Sequence, residues 1–84
     1  MAKSMISIQV KLFATLRRQY PDLGIGEAMS VAVPDEATIA DLVERLNLPD
    51  GQVKVVFVNG TVRQKDYGLS EGDEVGIFPP VGGG

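Results

Sequence analysis

The amino-acid sequence predicts an α+β fold in which a mixed sheet of about four to five strands packs on one main helix, with a second, shorter helix. Two patterns support this class most directly. Residues 5–13 alternate between apolar and polar side chains, which is typical of a half-buried strand. Residues 39–46 carry an apolar stripe with helical spacing, which gives one helix a face to bury against the sheet.

The N-terminal part contains two predicted strands separated by a short helix. Residues 5–13 form the first strand, and Phe13 interrupts its alternation by placing an aromatic ring on the polar face. Residues 14–20 contain good helix formers and are stopped by Pro21, so we expect a short helix there. Residues 29–33 form a second short predicted strand.

The main helix has a start signal, a buried face and a stop signal in the sequence. Thr38 followed three residues later by Asp41 resembles a capping box. Apolar side chains then recur with the period of a helix, at Ile39, Leu42, Val43 and Leu46. Pro49 and Gly51 are predicted to end the element.

The C-terminal half is predicted to be mainly strands. Residues 53–58 are almost continuously apolar, as expected of a central strand covered on part of both faces. The Asn-Gly pair at residues 59–60 predicts a type I′ hairpin turn into residues 61–64. In a last strand over residues 74–78, Val75 and Ile77 share one face and Phe78 lies on the other.

Composition excludes several classes of function. The 84 residues indicate one domain, and the net charge of -3 argues against nucleic-acid binding. No apolar run approaches the ~20 residues of a membrane span, and no export signal is visible, so a cytoplasmic location is expected. The chain has no cysteine and no histidine, which argues against a transition-metal site, a bound cofactor and an enzyme active site.

The C-terminal tail is the most unusual segment. Residues 1–78 are assigned to the folded domain, and Pro79, Pro80, Val81, Gly82, Gly83 and Gly84 to a flexible tail. Prolines favour an extended base, and glycines without Cβ atoms can thread a narrow slot in another protein. The tail thus suggests that the Gly84 carboxylate is itself the reactive group. The alternative is a frayed chain end without function.

Four segments of the chain carry recognisable motifs: residues 11–14 with Leu16 and Arg17, residues 58–60, residues 69–75 (LSEGDEV), and residues 78–81 (FPPV) before the terminal glycines. In these segments the chain resembles the ubiquitin-like β-grasp sulfur carriers, and most closely the small subunit of molybdopterin synthase (the MoaD/ThiS kind). The resemblance covers essentially the whole chain. Gly82 departs from the pattern, because family members often carry a larger residue there.

This resemblance implies a carrier and not an enzyme. An E1-like adenylating enzyme would use ATP to activate the Gly84 carboxylate, and a sulfur donor would convert it to a thiocarboxylate. The tail would then deliver sulfur to a pterin precursor in the large subunit of molybdopterin synthase. The catalytic side chains would come from these partners.

Docking residues are predicted beside the root of the tail. If the first and last strands are parallel neighbours, Phe13 and Phe78 lie together on the face opposite the core and form an apolar contact patch. Val62 matches a family contact position and extends this patch. The alternative is that the short helix or a loop covers both rings. Arg17 and Arg18 are solvated charges or pair with an acidic partner.

Two alternatives to the molybdopterin role stay open at the level of the sequence. The same chemistry could serve thiamin, a tungsten cofactor, cysteine or tRNA thiolation, or attachment of the chain to lysines of other proteins. The chain could also be a non-catalytic interaction module with an inert tail.

Overall fold

A five-stranded mixed sheet and one α-helix form the framework of the chain in the computed structural model, which describes residues 4–80. The predicted tail residues Val81, Gly82, Gly83 and Gly84 lie outside the described residues. The strands are β1 (Met5–Leu12), β2 (Met29–Pro34), β3 (Val55–Val58), β4 (Thr61–Val62) and β5 (Glu74–Phe78). The helix α1 spans Ile39–Arg45, and 3-10 helices span Ala14–Gln19 and Asp50–Gln52.

The strands are arranged in the order β2-β1-β5-β3-β4, so the first and last strands of the chain are central neighbours. β1 and β5 run parallel, while β1–β2, β3–β5 and β3–β4 are antiparallel pairs. Because β1 and β5 are parallel, both finish at the same end of the sheet. We call it the tail end, since Pro79 and Pro80 follow β5 there. The predicted mixed sheet and the adjacency of the first and last strands are confirmed.

The core lies between α1 and one face of the sheet. Its most deeply buried side chains are Ile8, Val10, Leu12, Leu16, Val33, Ile39, Leu42, Val58, Val75 and Ile77. Burying side chains of this kind contributes ~1.5–3 kcal/mol each relative to leaving them in water. The opposite face of the sheet, which we call the outer face, carries the alternate residues of each strand.

The start of α1 follows the sequence prediction, but its end does not. Thr38 Oγ1 accepts a hydrogen bond from the Asp41 amide at 3.2 Å, and Asp41 Oδ2 accepts one from the Thr38 amide at 2.9 Å. This reciprocal pair is the predicted capping box. The helix ends at Arg45, before Pro49, because Asn47 adopts a left-handed backbone with φ 58° that helical geometry does not allow.

The Asn59-Gly60 turn is a second confirmed element. Both residues have positive φ, 52° and 86°, as a type I′ turn requires. The Asn59 side chain donates to Asp73 Oδ1 and accepts from the Glu74 amide, each at 3.0 Å. These bonds attach the hairpin to the start of β5 and thereby help to fix its register.

Strand boundaries differ from the predictions by a few residues. The short helix predicted at residues 14–20 is present as a 3-10 helix. β3 begins at Val55, two residues later than predicted. β4 ends at Val62, two residues earlier than the predicted strand over residues 61–64. β4 ends early although the Arg63 amide still donates to the Val56 carbonyl at 2.9 Å.

Candidate functional site

β5 presents different chemistry on its two faces. Val75 and Ile77 are buried in the core, as predicted. Glu74, Gly76 and Phe78 lie on the outer face, because successive side chains of a strand point to opposite sides. The outer face of β5 therefore ends in an aromatic ring at the root of the tail.

Phe13 and Phe78 are brought together by the parallel pairing of β1 and β5. Leu12 pairs with Ile77, and the Phe13 amide donates to the Ile77 carbonyl at 3.1 Å. The two rings stack with centroids 4.1 Å apart and an interplanar angle of 2°. The sequence prediction that these rings lie together, opposite the core, is confirmed. Both are half-buried.

Phe57 is a member of this cluster that the sequence analysis missed. Its ring meets Phe78 edge to face, with centroids 5.5 Å apart at 71°. Val62 pairs with Phe57 across the hairpin and is 51% exposed. These side chains extend from the residue after β1 across β5, β3 and β4, and we call the four of them the apolar row: Phe13, Phe78, Phe57 and Val62.

Gly76 lies beneath the aromatic part of the apolar row. It pairs with Lys11 on one side and with Phe57 on the other. A Cβ atom at this position would lie 3.3 Å from Cε2 of Phe13 and 3.8 Å from Cε1 of Phe78. The missing side chain therefore leaves room for the Phe13 ring to lean over β5, and Gly76 acts as a positioning residue.

The chain turns sharply after Phe13. Ala14 has φ 53°, a left-handed conformation that costs a non-glycine residue ~1–3 kcal/mol. Buried Leu16 anchors the 3-10 helix that follows. The 3-10 helix that carries Arg17 and Arg18 therefore follows the tail end of β1 directly.

Replacing Gly76 with alanine is expected to weaken partner docking about fivefold, which corresponds to ~1 kcal/mol. The added Cβ would lie 3.3 Å from Cε2 of Phe13, which is tight enough that the Phe13 ring must shift and its stacking on Phe78 is disturbed. Gly68→Ala is the matched control, because a Cβ there meets nothing within 4 Å. Isothermal titration calorimetry against the activating enzyme measures both variants. Equal affinities of Gly76→Ala and Gly68→Ala would show that Gly76 has no positioning role.

Within residues 4–80, no cluster of three or more aspartate, glutamate, cysteine or histidine side chains is placed to bind a metal ion. Across the same residues, no helix is long and apolar enough to cross a membrane.

Of the predicted tail, Pro79 is half-buried and Pro80 is exposed. The roles of Gly82, Gly83 and Gly84 stay predictions, as does docking at Phe13, Phe78 and Val62.

A mixed sheet with its first and last strands paired in parallel at the centre, covered by one helix, defines a ubiquitin-like β-grasp protein. The model of the ThiS family matches residues 10–84, and the chain belongs to this family of ubiquitin-like sulfur carriers. None of the curated proteins matches the chain. Carriers of this kind work with E1-like activating enzymes and with acceptor enzymes.

Three solved structures show the same fold over nearly the whole chain. The solution structure of the Haloferax volcanii HVO 2177 protein is 29% identical, with a TM-score of 0.77, and the match covers 100% of this chain and 92% of that one. Small archaeal modifier protein 1 of H. volcanii is 25% identical, with a TM-score of 0.70 and coverage of 90% and 99%. A Pyrococcus furiosus protein, described as a candidate molybdopterin converting factor subunit 1, is 27% identical, with a TM-score of 0.69 and coverage of 90% and 99%.

Proposed function

We propose that this protein carries sulfur as a thiocarboxylate on Gly84 and delivers it to a pterin precursor in molybdenum-cofactor biosynthesis. The observation that carries the proposal is the apolar row at the root of the tail, in a chain of the ThiS family. A partly exposed apolar surface beside a reactive chain end allows a partner to hold the domain while the tail enters its active site. The likeness to the P. furiosus molybdopterin converting factor candidate supports the pterin acceptor.

The chemistry takes place at the Gly84 carboxylate in two steps. A carboxylate oxygen attacks the α-phosphorus of ATP, pyrophosphate leaves, and an acyl-adenylate forms. A sulfur nucleophile, at the oxidation level of hydrosulfide, then attacks the acyl carbon and AMP leaves. The product is the thiocarboxylate. Its sulfur then bonds to the acceptor, water attacks the acyl carbon and the acyl–sulfur bond breaks, so the sulfur stays on the acceptor and Gly84 is again a carboxylate. Splitting one difficult substitution into two easier ones is the general logic of covalent catalysis.

The partners supply the catalytic groups in this scheme. An E1-like enzyme binds ATP and performs the adenylation, and the large subunit of molybdopterin synthase supplies the acceptor site. Two partners must bind the same carrier in turn, so a moderate docking surface suits the task better than an obligate interface. The apolar row has only four side chains on one face of the sheet, so it forms a docking surface of moderate size.

A second candidate function is attachment of Gly84 to lysines of other proteins. It is favoured by the likeness to small archaeal modifier protein 1, whose name describes a protein modifier. Adenylation is shared by both functions, so they differ only in the nucleophile that displaces AMP. An amine gives an isopeptide bond, whereas a sulfur nucleophile gives the thiocarboxylate.

Intact-mass spectrometry tests the proposal. After incubation with ATP, the cognate E1-like enzyme and a sulfur source, exchange of one carboxylate oxygen for sulfur should raise the mass by about 16 units. Deleting Gly83 and Gly84 should abolish this change and leave the unfolding midpoint unaltered, because the buried core is built from residues 8–77. Isopeptide-linked adducts without the mass increase would favour the second candidate. A wild-type chain that gains neither would rule out both.

A further inference from the structure

Charged side chains are unevenly distributed between the two ends of the sheet. β1 and β5 run parallel and finish together at the tail end, but β5 starts beside Gln9, about halfway along β1. We call the end where β1 starts and β2 finishes the opposite end. The tail end and the opposite end are separated by the length of β1, roughly 25 Å.

Four cations lie towards the tail end of the sheet. Arg17 and Arg18 occupy the last turn of the 3-10 helix that follows Phe13. Lys54 donates its backbone amide to the Phe78 carbonyl at 2.8 Å, so it lies at the root of the tail. Lys11 pairs with Gly76 on the outer face. Lys11, Arg18 and Lys54 are exposed, and Arg17 is half-buried.

Carboxylates lie at the opposite end and beside the first half of β1. Asp35 donates its amide to the Ser4 carbonyl at 2.8 Å, and Glu36 follows it. Glu71 accepts a hydrogen bond from the Ser7 amide at 3.0 Å, whereas Glu74 pairs with Gln9 in the middle of the sheet and lines an outer-face groove with Lys11. All four side chains are exposed.

The remaining charges near the tail end do not cancel this asymmetry. Asp22 and Glu27 belong to the segment between the 3-10 helix and β2, which starts at the tail end, and Asp50 belongs to the 3-10 helix before β3. Beside β4, Asp66 follows two cations, Arg63 and Lys65. With these two, six basic residues stand against four acidic residues at this end within residues 4–80. The tail end therefore keeps an excess of positive charge, although the whole chain has a net charge of -3.

We propose that the cations at the tail end steer the carrier, tail first, onto an activating enzyme whose tail-binding slot is rimmed by acidic side chains. This inference rests on the proposed function, because it names the chemistry of the partner surface that receives the tail. Charge complementarity raises association rates by 10- to 1,000-fold and suppresses wrong orientations. The same rim repels the acidic opposite end. Attraction at one end of the sheet and repulsion at the other therefore both favour the productive orientation.

The cations and the apolar row then have different kinetic effects. Exposed charges act at long range and change mainly the association rate constant, whereas buried aromatic contacts form only after docking and change mainly the dissociation rate constant. Salt should therefore slow association without changing dissociation. At about 0.01 M ionic strength charges interact over ~30 Å, and at 0.15 M over only ~8 Å.

Stopped-flow measurement of association between the full chain and its cognate activating enzyme tests this inference. Arg18→Glu should lower the association rate constant at least about tenfold at low salt and reduce its dependence on salt. Lys54→Glu should act in the same direction. The dissociation rate constant should stay within about twofold of wild type for both variants.

Arg45→Glu is the matched control. It makes the same change in net charge, but Arg45 lies on α1 in a groove with Val33, Asp35 and Glu36, near the opposite end. Its association rate constant should stay within about twofold of wild type. If Arg45→Glu and Arg18→Glu slow association equally, the effect depends only on net charge and the inference is wrong. The inference is also wrong if Arg18→Glu does not slow association.

The intact mass of the wild-type carrier, measured in the same mixtures, separates this inference from the proposed function. If the wild-type carrier gains sulfur but Arg18→Glu associates as fast as wild type, the steering inference is wrong and the proposed function still holds. Salt-dependent binding without any activation of wild type by the enzyme disproves the proposed function and leaves the docking surface standing.

Discussion

Replacing Gly83 with valine is expected to abolish adenylation of the carrier while leaving the domain as stable as wild type. A β-branched side chain restricts the backbone and widens the tail next to the reacting carboxylate. A slot that admits only glycine at this position would exclude the variant from the adenylation site. Release of pyrophosphate from ATP, followed under single-turnover conditions, measures the step directly.

Gly82→Ala is the matched control for Gly83→Val. The resemblance to sulfur carriers places larger residues at position 82, so alanine there should be adenylated at a rate within about twofold of wild type. If Gly83→Val keeps the wild-type rate, the slot does not require glycine, and the threading argument is wrong even if Gly84 still carries sulfur.

Phe78→Ala is expected to weaken binding to the activating enzyme at least tenfold, or about 1.4 kcal/mol. Phe78 is central in the apolar row, since it stacks on Phe13 and meets Phe57 edge to face. Aromatic side chains near the centre of an interface commonly cost ~2 kcal/mol or more when truncated. Phe13→Ala should act in the same direction, because it removes the other half of the stack.

The effect of Phe78→Ala on folding should be smaller than that of truncating a core phenylalanine. Its half-buried ring loses two aromatic contacts, worth ~0.5–1.5 kcal/mol each, whereas a buried phenylalanine costs ~3–5 kcal/mol. Ile77→Val is the control on the same strand, because Ile77 is fully buried on the other face. It should cost ~0.5–1.5 kcal/mol of stability and leave affinity unchanged. The docking assignment is refuted if Phe78→Ala destabilises the fold strongly and binds with wild-type affinity.

Most of the fold could be predicted because single residues leave clear local signals. The alternation in β1 placed Phe13 on the face opposite Ile8, Val10 and Leu12, and the structure confirms this. Thr38 and Asp41 predicted the start of α1, and Asn59 with Gly60 predicted the hairpin. Each of these signals acts within about eight consecutive residues, so no knowledge of the tertiary structure was needed.

Phe57 could not be predicted as part of the site, for a physical reason. β3 is apolar on both faces, so its periodicity does not distinguish the core side from the outer side. The assignment depends on pairing with β5, where Val55 lies opposite Phe78 and Phe57 opposite Gly76. That register joins residues about twenty positions apart and is fixed only when the sheet forms. The sequence analysis placed the end of α1 too late, because Pro49 is a strong helix-stop signal and Asn47, where the helix actually breaks, is a weaker one.

The separation of the two sheet faces has a consequence for how such a carrier can evolve. Folding depends on one set of alternate residues, such as Val75 and Ile77, while partner contact is proposed for the other set, Gly76 and Phe78. Mutations in the second set can therefore accumulate with little loss of foldability. A duplicated copy of such a domain could acquire a new acceptor enzyme by substitutions on one face alone, and selection would act on each face almost independently.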